Sequence, residues 1–300
     1  MMRFSLLCVI FVVLFLISVS CSTAWAAAEN VAEYSVGKAT VWAIADSKGD
    51  RDASVFPGAD PDVISQYMPS GKCPSAIMTF LVKVESEIIL IDTGLGASAG
   101  ERASQLLEGL NSIGVTTEEI TKILITHMHG DHIGGLVKDG KKVFPSARVL
   151  SSSKERDFWL GEKSAELFPN YKSGIEMAQG IFELYGDAYE TFEFDAEVAA
   201  GIRAIDARGH TPGHTLFMLE SEGERLLFWA DLTHAAALQF PRPDISASYD
   251  MNPEEAAAVR ARYMEIAAVG KIPIAGIHLP FPGVGMVEKN AEGGYVYISR

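Results

Sequence analysis

Thr126-His127-Met128-His129-Gly130-Asp131-His132 decides how this chain is read. The run follows directly on the apolar segment from Ile120, which has the length and composition of a buried strand. Alternate side chains of an extended segment project to the same side, so His127 and His129 come together. Gly130 then lets the chain turn, and Asp131 and His132 face a second position nearby. Three imidazoles and a carboxylate within six residues make poor core material, because every buried polar group needs a partner. They make good ligands for a borderline metal ion.

Around this run, strand and helix patterns alternate with no linker between separate domains. Ala76 to Val84 and Ile88 to Ile91 form a hairpin across Glu85-Ser86-Glu87, closed by Asp92-Thr93-Gly94. Glu101 to Ile113 places Ala103, Leu106, Leu107, Leu110 and Ile113 at helical spacing. Residues 154–193 are richer in polar and aromatic residues, helical in pieces, and are expected to be an insertion beside the active site. Short strands follow at Tyr189 to Phe194, Gly201 to Ile205, Thr215 to Glu220 and Arg225 to Trp229. Asn252-Pro253-Glu254-Glu255 starts a helix running to about Val269, with Asn252 as cap, Pro253 in the first turn and acids over the positive end of the dipole. Strands at Pro273 to Ala275 and Gly294 to Ile298 close a second half similar to the first. The expectation is an α/β protein in which two mixed sheets pack face to face with helices outside, a single domain over residues 27–300.

The first residues belong to no fold. Met1 to Phe4 with Arg3 is a short basic start, and Leu6 to Val19 is an apolar run shorter than the roughly 20 residues of a membrane span. Ala24-Trp25-Ala26 supplies a signal-peptidase pattern, so residues 1–26 read as a signal peptide and the mature protein as periplasmic or secreted from a bacterium, with no stable membrane span. Cys21, after Ser18-Val19-Ser20, leaves lipidation open. Cleavage would leave Cys73 as the only thiol, so no internal disulfide forms in the mature chain. A net charge of -14 argues against nucleic-acid binding, which needs a basic surface. At 48% hydrophobic content the chain is also not disordered.

THMHGDHIGG at 126–135 resembles the HxHxDH signature of the metallo-β-lactamase superfamily, and other family elements follow in order. Gly209-His210-Thr211-Pro212-Gly213-His214 is similar to its GHTxGH element, Asp231 ends an apolar strand as its bridging carboxylate does, and His278 in Gly276-Ile277-His278-Leu279-Pro280 matches its last ligand. The stretches 229–234 and 277–283 look most like the methyl parathion hydrolase group and the quorum-quenching lactonases. The resemblance implies an αββα sandwich holding two divalent ions: His127, His129 and His214 on one, Asp131, His132 and His278 on the other, and Asp231 between them. It implies a hydroxide shared by the ions as nucleophile, with Asp131 and Asp231 in the catalytic machinery. Zinc is the first choice, and manganese, iron or cobalt suit the same donors.

Other residues are expected to have subsidiary roles. His210 is read as bracing the ligands or the turn, with a ligand or proton-shuttle role as the alternative. Asp92 buttresses the metal loop. His234 stands where many acyl-homoserine lactonases carry a substrate-contacting tyrosine, and is read either as a catalytic group bonding the substrate carbonyl or as a support for Asp231. Phe158, Trp159, Phe168 and Phe182 are divided evenly between pocket and core, with Trp159 the best pocket candidate. The segment 95–100 lacks the aromatic that phosphotriesterases tend to place there. The resulting expectation is an exported two-metal hydrolase of a small-molecule ester or lactone, with phosphotriesters as a side activity; a homodimer is left open. The alternatives are a single-iron oxygenase or thiol-chemistry enzyme of the same superfamily, or a non-catalytic exported metal- or ligand-binding protein.

Overall fold

The computed structural model describes residues 29–96 and 104–300. The signal-peptide and Cys21 readings therefore lie outside the described residues, as do Ala103 and most of the segment 95–100. No helix among the described residues is long and apolar enough to cross a membrane.

The first sheet is formed by β1 (Val31–Val36), β2 (Ala39–Asp52), β3 (Lys72–Val84), β4 (Glu87–Ile91) and β5 (Lys122–Leu124). A small hairpin, β6 (Val137–Lys138) and β7 (Lys141–Lys142), stands apart, and β8 (Arg148–Ser152) and β9 (Tyr189–Phe192) complete the sheet in the order β1-β2-β3-β4-β5-β8-β9. The second sheet runs in chain order: β10 (Glu197–Ala199), β11 (Ile202–Asp206), β12 (Thr215–Ser221), β13 (Glu224–Ala230), β14 (Ile274–Gly276), β15 (Val284–Lys289) and β16 (Tyr295–Ser299). Both sheets are mixed: β4, β5, β8 and β9 are parallel neighbours, as are β13 and β14.

Strand alternation builds the layers. On β3, Met78, Phe80 and Val82 enter the core between the sheets, while Leu81 points to the helices outside. On β13, Leu226, Phe228 and Ala230 point inward, while Leu227 and Trp229 meet the helix Pro253–Gly270. Strands covered on both faces need apolar residues at every position, which is why these segments read as continuous hydrophobic runs. The result is the expected αββα sandwich.

The helix from Pro253 is capped by Asn252, whose side chain accepts from the Glu255 N–H, and it ends at Lys271 in the left-handed region. The helix predicted from Glu101 is described from Leu106 to Ser112; Leu106 and Leu110 are buried, but Leu107 is exposed. Residues 154–193, expected as a helical insertion beside the active site, are built into the first sheet's connections. Their helices Ser153–Trp159, Ser164–Leu167 and Lys172–Tyr185 form the crossover joining parallel β8 to β9, and Ile175, Ala178, Ile181 and Phe182 pack on the outer face of the first sheet. Cys73 is buried among Phe56, Met68 and Leu238, and burial pushes its thiol pKa up.

Candidate metal centre

The C-terminal ends of several strands point to one edge of the sandwich, and their loops supply the site. Asp92 follows β4, the histidine run follows β5, Glu155 follows β8, His210 follows β11, Asp231 follows β13 and His278 follows β14. Two strand ends are twisted out of regular geometry. Asp92 has φ 56° and Ala230 φ 46°, and the pairing of β13 with β14 shifts register between Phe228 and Ala230. A non-glycine residue at positive φ is strained, and here the two bends aim Asp92 and Asp231 at the histidines.

Asp231 stands at the centre. Its Oδ2 lies 3.7 Å from His127 Nε2, 3.4 Å from His132 Nε2, 3.4 Å from His210 Nε2, 3.1 Å from His234 Nε2 and 3.0 Å from His278 Nε2. On one side, His127, His129 and His210 form a group, with His129 Nδ1 at 3.0 Å from His127 Nε2 and 3.1 Å from His210 Nε2. On the other side, Asp131, His132 and His278 form a second group, the carboxylate oxygens 3.6 and 3.5 Å from the two imidazoles. His127, His132, His210, Asp231 and His278 are all almost fully buried.

This arrangement fits a bound cation. His132 Nε2 and Asp231 Oδ1 are buried and have no hydrogen-bond partner among the described residues. Two ring nitrogens, His127 Nε2 and His210 Nε2, crowd His129 Nδ1, whose single hydrogen or lone pair can serve only one of them, so lone pairs converge. Burial together with neighbouring His210 pushes His129 down to about 3, which keeps its ring neutral. Burial opposes charge on His210 as well, but Asp231 and Asp250 outweigh it and raise that ring to about 9. The buried carboxylates thus draw positive charge into the cluster, as protons or as metal.

The outer ring nitrogens are also engaged, which turns the inner ones toward the centre. His132 Nδ1 and His210 Nδ1 each lie 2.8 Å from a buried carboxylate, Asp92 and Asp250 respectively. His127 Nδ1 reaches Thr126 Oγ1 at 3.1 Å, and that hydroxyl in turn donates to Asp92 at 2.7 Å. Asp92 also accepts from the Thr126 N–H at 2.8 Å, the buttress expected of it.

Two expected assignments change. His214 stands outside the ligand groups: its Nδ1 donates to the Ala207 carbonyl at 2.9 Å and its Nε2 accepts from the Asp231 N–H at 3.2 Å, so both nitrogens are engaged by backbone. His210 takes the place assigned to it. The two histidines share one loop, and spacing alone does not rank them; Asp250, remote in sequence, does. Trp159, the expected pocket residue, is likewise placed in the core. It is buried, donates to Glu155 at 2.6 Å and sets its ring edge-on to His129 at 5.5 Å. Phe182 is core, whereas Phe158 and Phe168 border a cleft of about 390 Å³ beside Gly209 and Pro212.

His234 reaches Asp231 through Nε2, stacks on His278 at 5.0 Å, and is pushed down to about 4 by burial. A neutral ring that donates from Nε2 keeps only a lone pair on Nδ1. That tautomer cannot donate to a carbonyl.

Glu155 is the residue that sequence reading missed. Its buried carboxylate accepts from the N–H groups of Met128 and Gly213, from Thr211 Oγ1 and from Trp159 Nε1, at 2.6 to 2.9 Å. One side chain therefore ties the His127–His132 loop to the His210 loop. Gly213 permits the approach, since a Cβ there would sit 2.2 Å from the Glu155 nitrogen. Nothing in the stretch 153–159 marks this Glu among its charged neighbours.

Residues 74–269 match the model of the metallo-beta-lactamase superfamily. The chain belongs to that superfamily. Among solved structures, AidC, a dizinc quorum-quenching lactonase, is 28% identical with a TM-score of 0.83, covering 90% of this chain and 97% of that one. AbOPH, a hydrolase of the same superfamily, is 29% identical with a TM-score of 0.84 over 90% and 97% of the two chains. Curated relatives include an N-acyl homoserine lactonase of Bacillus cereus, 24% identical over 55% of this chain and 66% of its own length. An atrochrysone carboxyl ACP thioesterase of Passalora fulva is 30% identical over 51% of this chain and 37% of its own length. The matches thus span roughly a third to two thirds of these curated relatives. The superfamily match, the lactonase and the hydrolase among the structural neighbours and the His/Asp cluster agree with one another.

Proposed function

We propose that the protein is an exported hydrolase of a small lactone or carboxylic ester that works with two divalent ions, zinc first among them. The observation that carries this reading is the position of Asp231 Oδ2 between two groups of ligand atoms, His127/His129/His210 and Asp131/His132/His278. A single-ion enzyme needs only one of them. The dizinc lactonase and the hydrolase, which match 90% of this chain, support the same reading, and phosphotriesters are proposed as a side activity.

Bound ions would supply an acidic water and polarisation of the substrate carbonyl. Everything else comes from the chain. Asp231 balances positive charge on both sides at once. Asp92 and Asp250 hold His132 and His210 in the orientation that leaves their inner nitrogens free. Glu155 and Trp159 keep the two ligand loops in register, so the site need not reorganise when substrate binds. His234 steadies Asp231, in preference to the carbonyl contact expected from its position.

The test is a panel of lactones, aryl esters, β-lactams and phosphotriesters offered to the metal-loaded protein. Chelator-sensitive turnover of a lactone or ester, with two ions per chain by elemental analysis, is the expected result. Full activity with one ion per chain would refute the dinuclear reading, and no turnover of any substrate would leave a metal-binding protein.

A further inference from the structure

A cleft of about 490 Å³ opens beside Asp131, bordered by Lys48, Arg51, Ser75, Ile77 and Met177. Arg51, near the end of β2, is poorly satisfied for a half-buried guanidinium. Its Nε is buried without a partner among the described residues, and its Nη1 reaches the Tyr249 hydroxyl only at 3.4 Å. Its Nη2 points at His278 Nδ1 at 3.1 Å, but the Ala76 carbonyl oxygen claims the same ring nitrogen at 3.1 Å. One imidazole nitrogen cannot donate to a carbonyl and accept from an arginine together. Whenever Ala76 is served, Nη2 of Arg51 has no acceptor among the described residues.

We propose that Arg51 is a specificity-determining residue that binds a carboxylate on the substrate, at the end of the cleft away from the scissile bond. The Nε–H and Nη2–H bonds of a guanidinium run parallel along one edge, the fork that matches the two oxygens of a carboxylate. Those are the two nitrogens left without a settled partner. Arg51 borders the cleft and stands only an imidazole ring away from the metal cluster, and this edge would turn off His278 to meet the carboxylate. The exposed Lys48 adds a second cation at the mouth; of the two acids there, Asp131 belongs to the cluster and Asp50 is exposed to water. This inference rests on the hydrolase reading for the position of the ester, and narrows it to esters whose acyl part carries a second, anionic group.

The experiment compares glutarate with butyrate by calorimetry on the metal-loaded protein. Either acid can place one carboxylate at the ions, and only glutarate has a second for Arg51. Wild type is expected to bind glutarate about tenfold or more tighter, the worth of a charge-assisted hydrogen-bonded pair. Arg51→Met should bring the ratio close to one with both ions retained, and Arg51→Lys should restore only part of it because the fork is lost. The KM of phenyl hemiglutarate relative to phenyl butyrate should rise in the same order. A preference that survives Arg51→Met overturns the proposal, and so does loss of metal in that variant, which would make Arg51 a brace for His278. If no ester is hydrolysed, the hydrolase reading fails while the binding ratio still judges Arg51.

Discussion

His127, His129, Asp131 and His132 come from one continuous loop, whereas His210, Asp231 and His278 come from three loops of the second sheet. The two sets are braced alike at the hydrogen-bond level and differently in charge. Asp92, behind His132, is bonded to Thr126 and meets no arginine or lysine among the described residues; burial pushes its pKa up despite the pull of His132. Asp250, behind His210, also binds Nη2 of the buried Arg260 at 3.1 Å, and His210 and Arg260 help hold its carboxyl below the usual range against the effect of burial. Arg260 further donates to the carbonyls of Leu232, Pro243 and Ile245. A contiguous loop is held by its own backbone, while ligands gathered from distant loops need an internal cation to lock their support.

The largest expected effect removes the element common to both sides. Asp231→Ala should lower metal occupancy at both positions, read by elemental analysis, and with it nearly all turnover. Retention of one tightly held ion would mean that the two sides are independent, and the comparison would lose its shared centre.

Next is the pair that separates ligand from support within the second set. His210→Ala should lose about one ion per chain, whereas His214→Ala should keep both and lower turnover by roughly tenfold, since it removes a backbone tether of Asp231 worth about 1 kcal/mol. The reverse result would restore the assignment expected from sequence.

That reversal shows where sequence reading succeeds. The contiguous set could be read because strand alternation and one glycine fix its geometry locally, and the sandwich could be read because strands covered on both sides leave continuous apolar runs. Long-range partners were not legible. Nothing near His210 or His214 reveals that Asp250 faces one and the Ala207 carbonyl the other, and Glu155 looks like any acid in a helix's first turn. The edge strand β1 and its neighbour β2 went unread for a similar reason, since the pairing of β1 with β2 and of β2 with β3 is set by register and not by local pattern.

The braces themselves give a finer contrast. Asp92→Asn and Asp250→Asn should each weaken metal affinity by about 10- to 100-fold, the usual effect of losing a carboxylate behind a ligand histidine. Stability should separate them: Asp250→Asn leaves buried Arg260 without its counter-charge and should cost about 3–5 kcal/mol, whereas Asp92→Asn strands no cation. Denaturant unfolding of the two variants is the measurement. Equal losses would show that Arg260 is satisfied by its carbonyl partners alone.

The smallest effect is expected at His234, which touches Asp231 from the side of the scattered ligands. Its Nε2 lies 3.1 Å from the Asp231 carboxylate, and its backbone N–H is held by Gln239 at 2.6 Å, so the ring is fixed while its Nδ1 has no partner among the described residues. A support loses one hydrogen bond when removed; a group acting on the substrate loses transition-state stabilisation as well. His234→Ala should therefore lower turnover by no more than about tenfold, in equal proportion for a lactone and an aryl ester, with both ions kept. His234→Gln, which can still donate to Asp231, should recover most of the loss, whereas His234→Tyr should not. A fall of about a hundredfold or more confined to one substrate, or a gain in lactone turnover with tyrosine, would place the side chain against the substrate and return to it the catalytic part first expected of it.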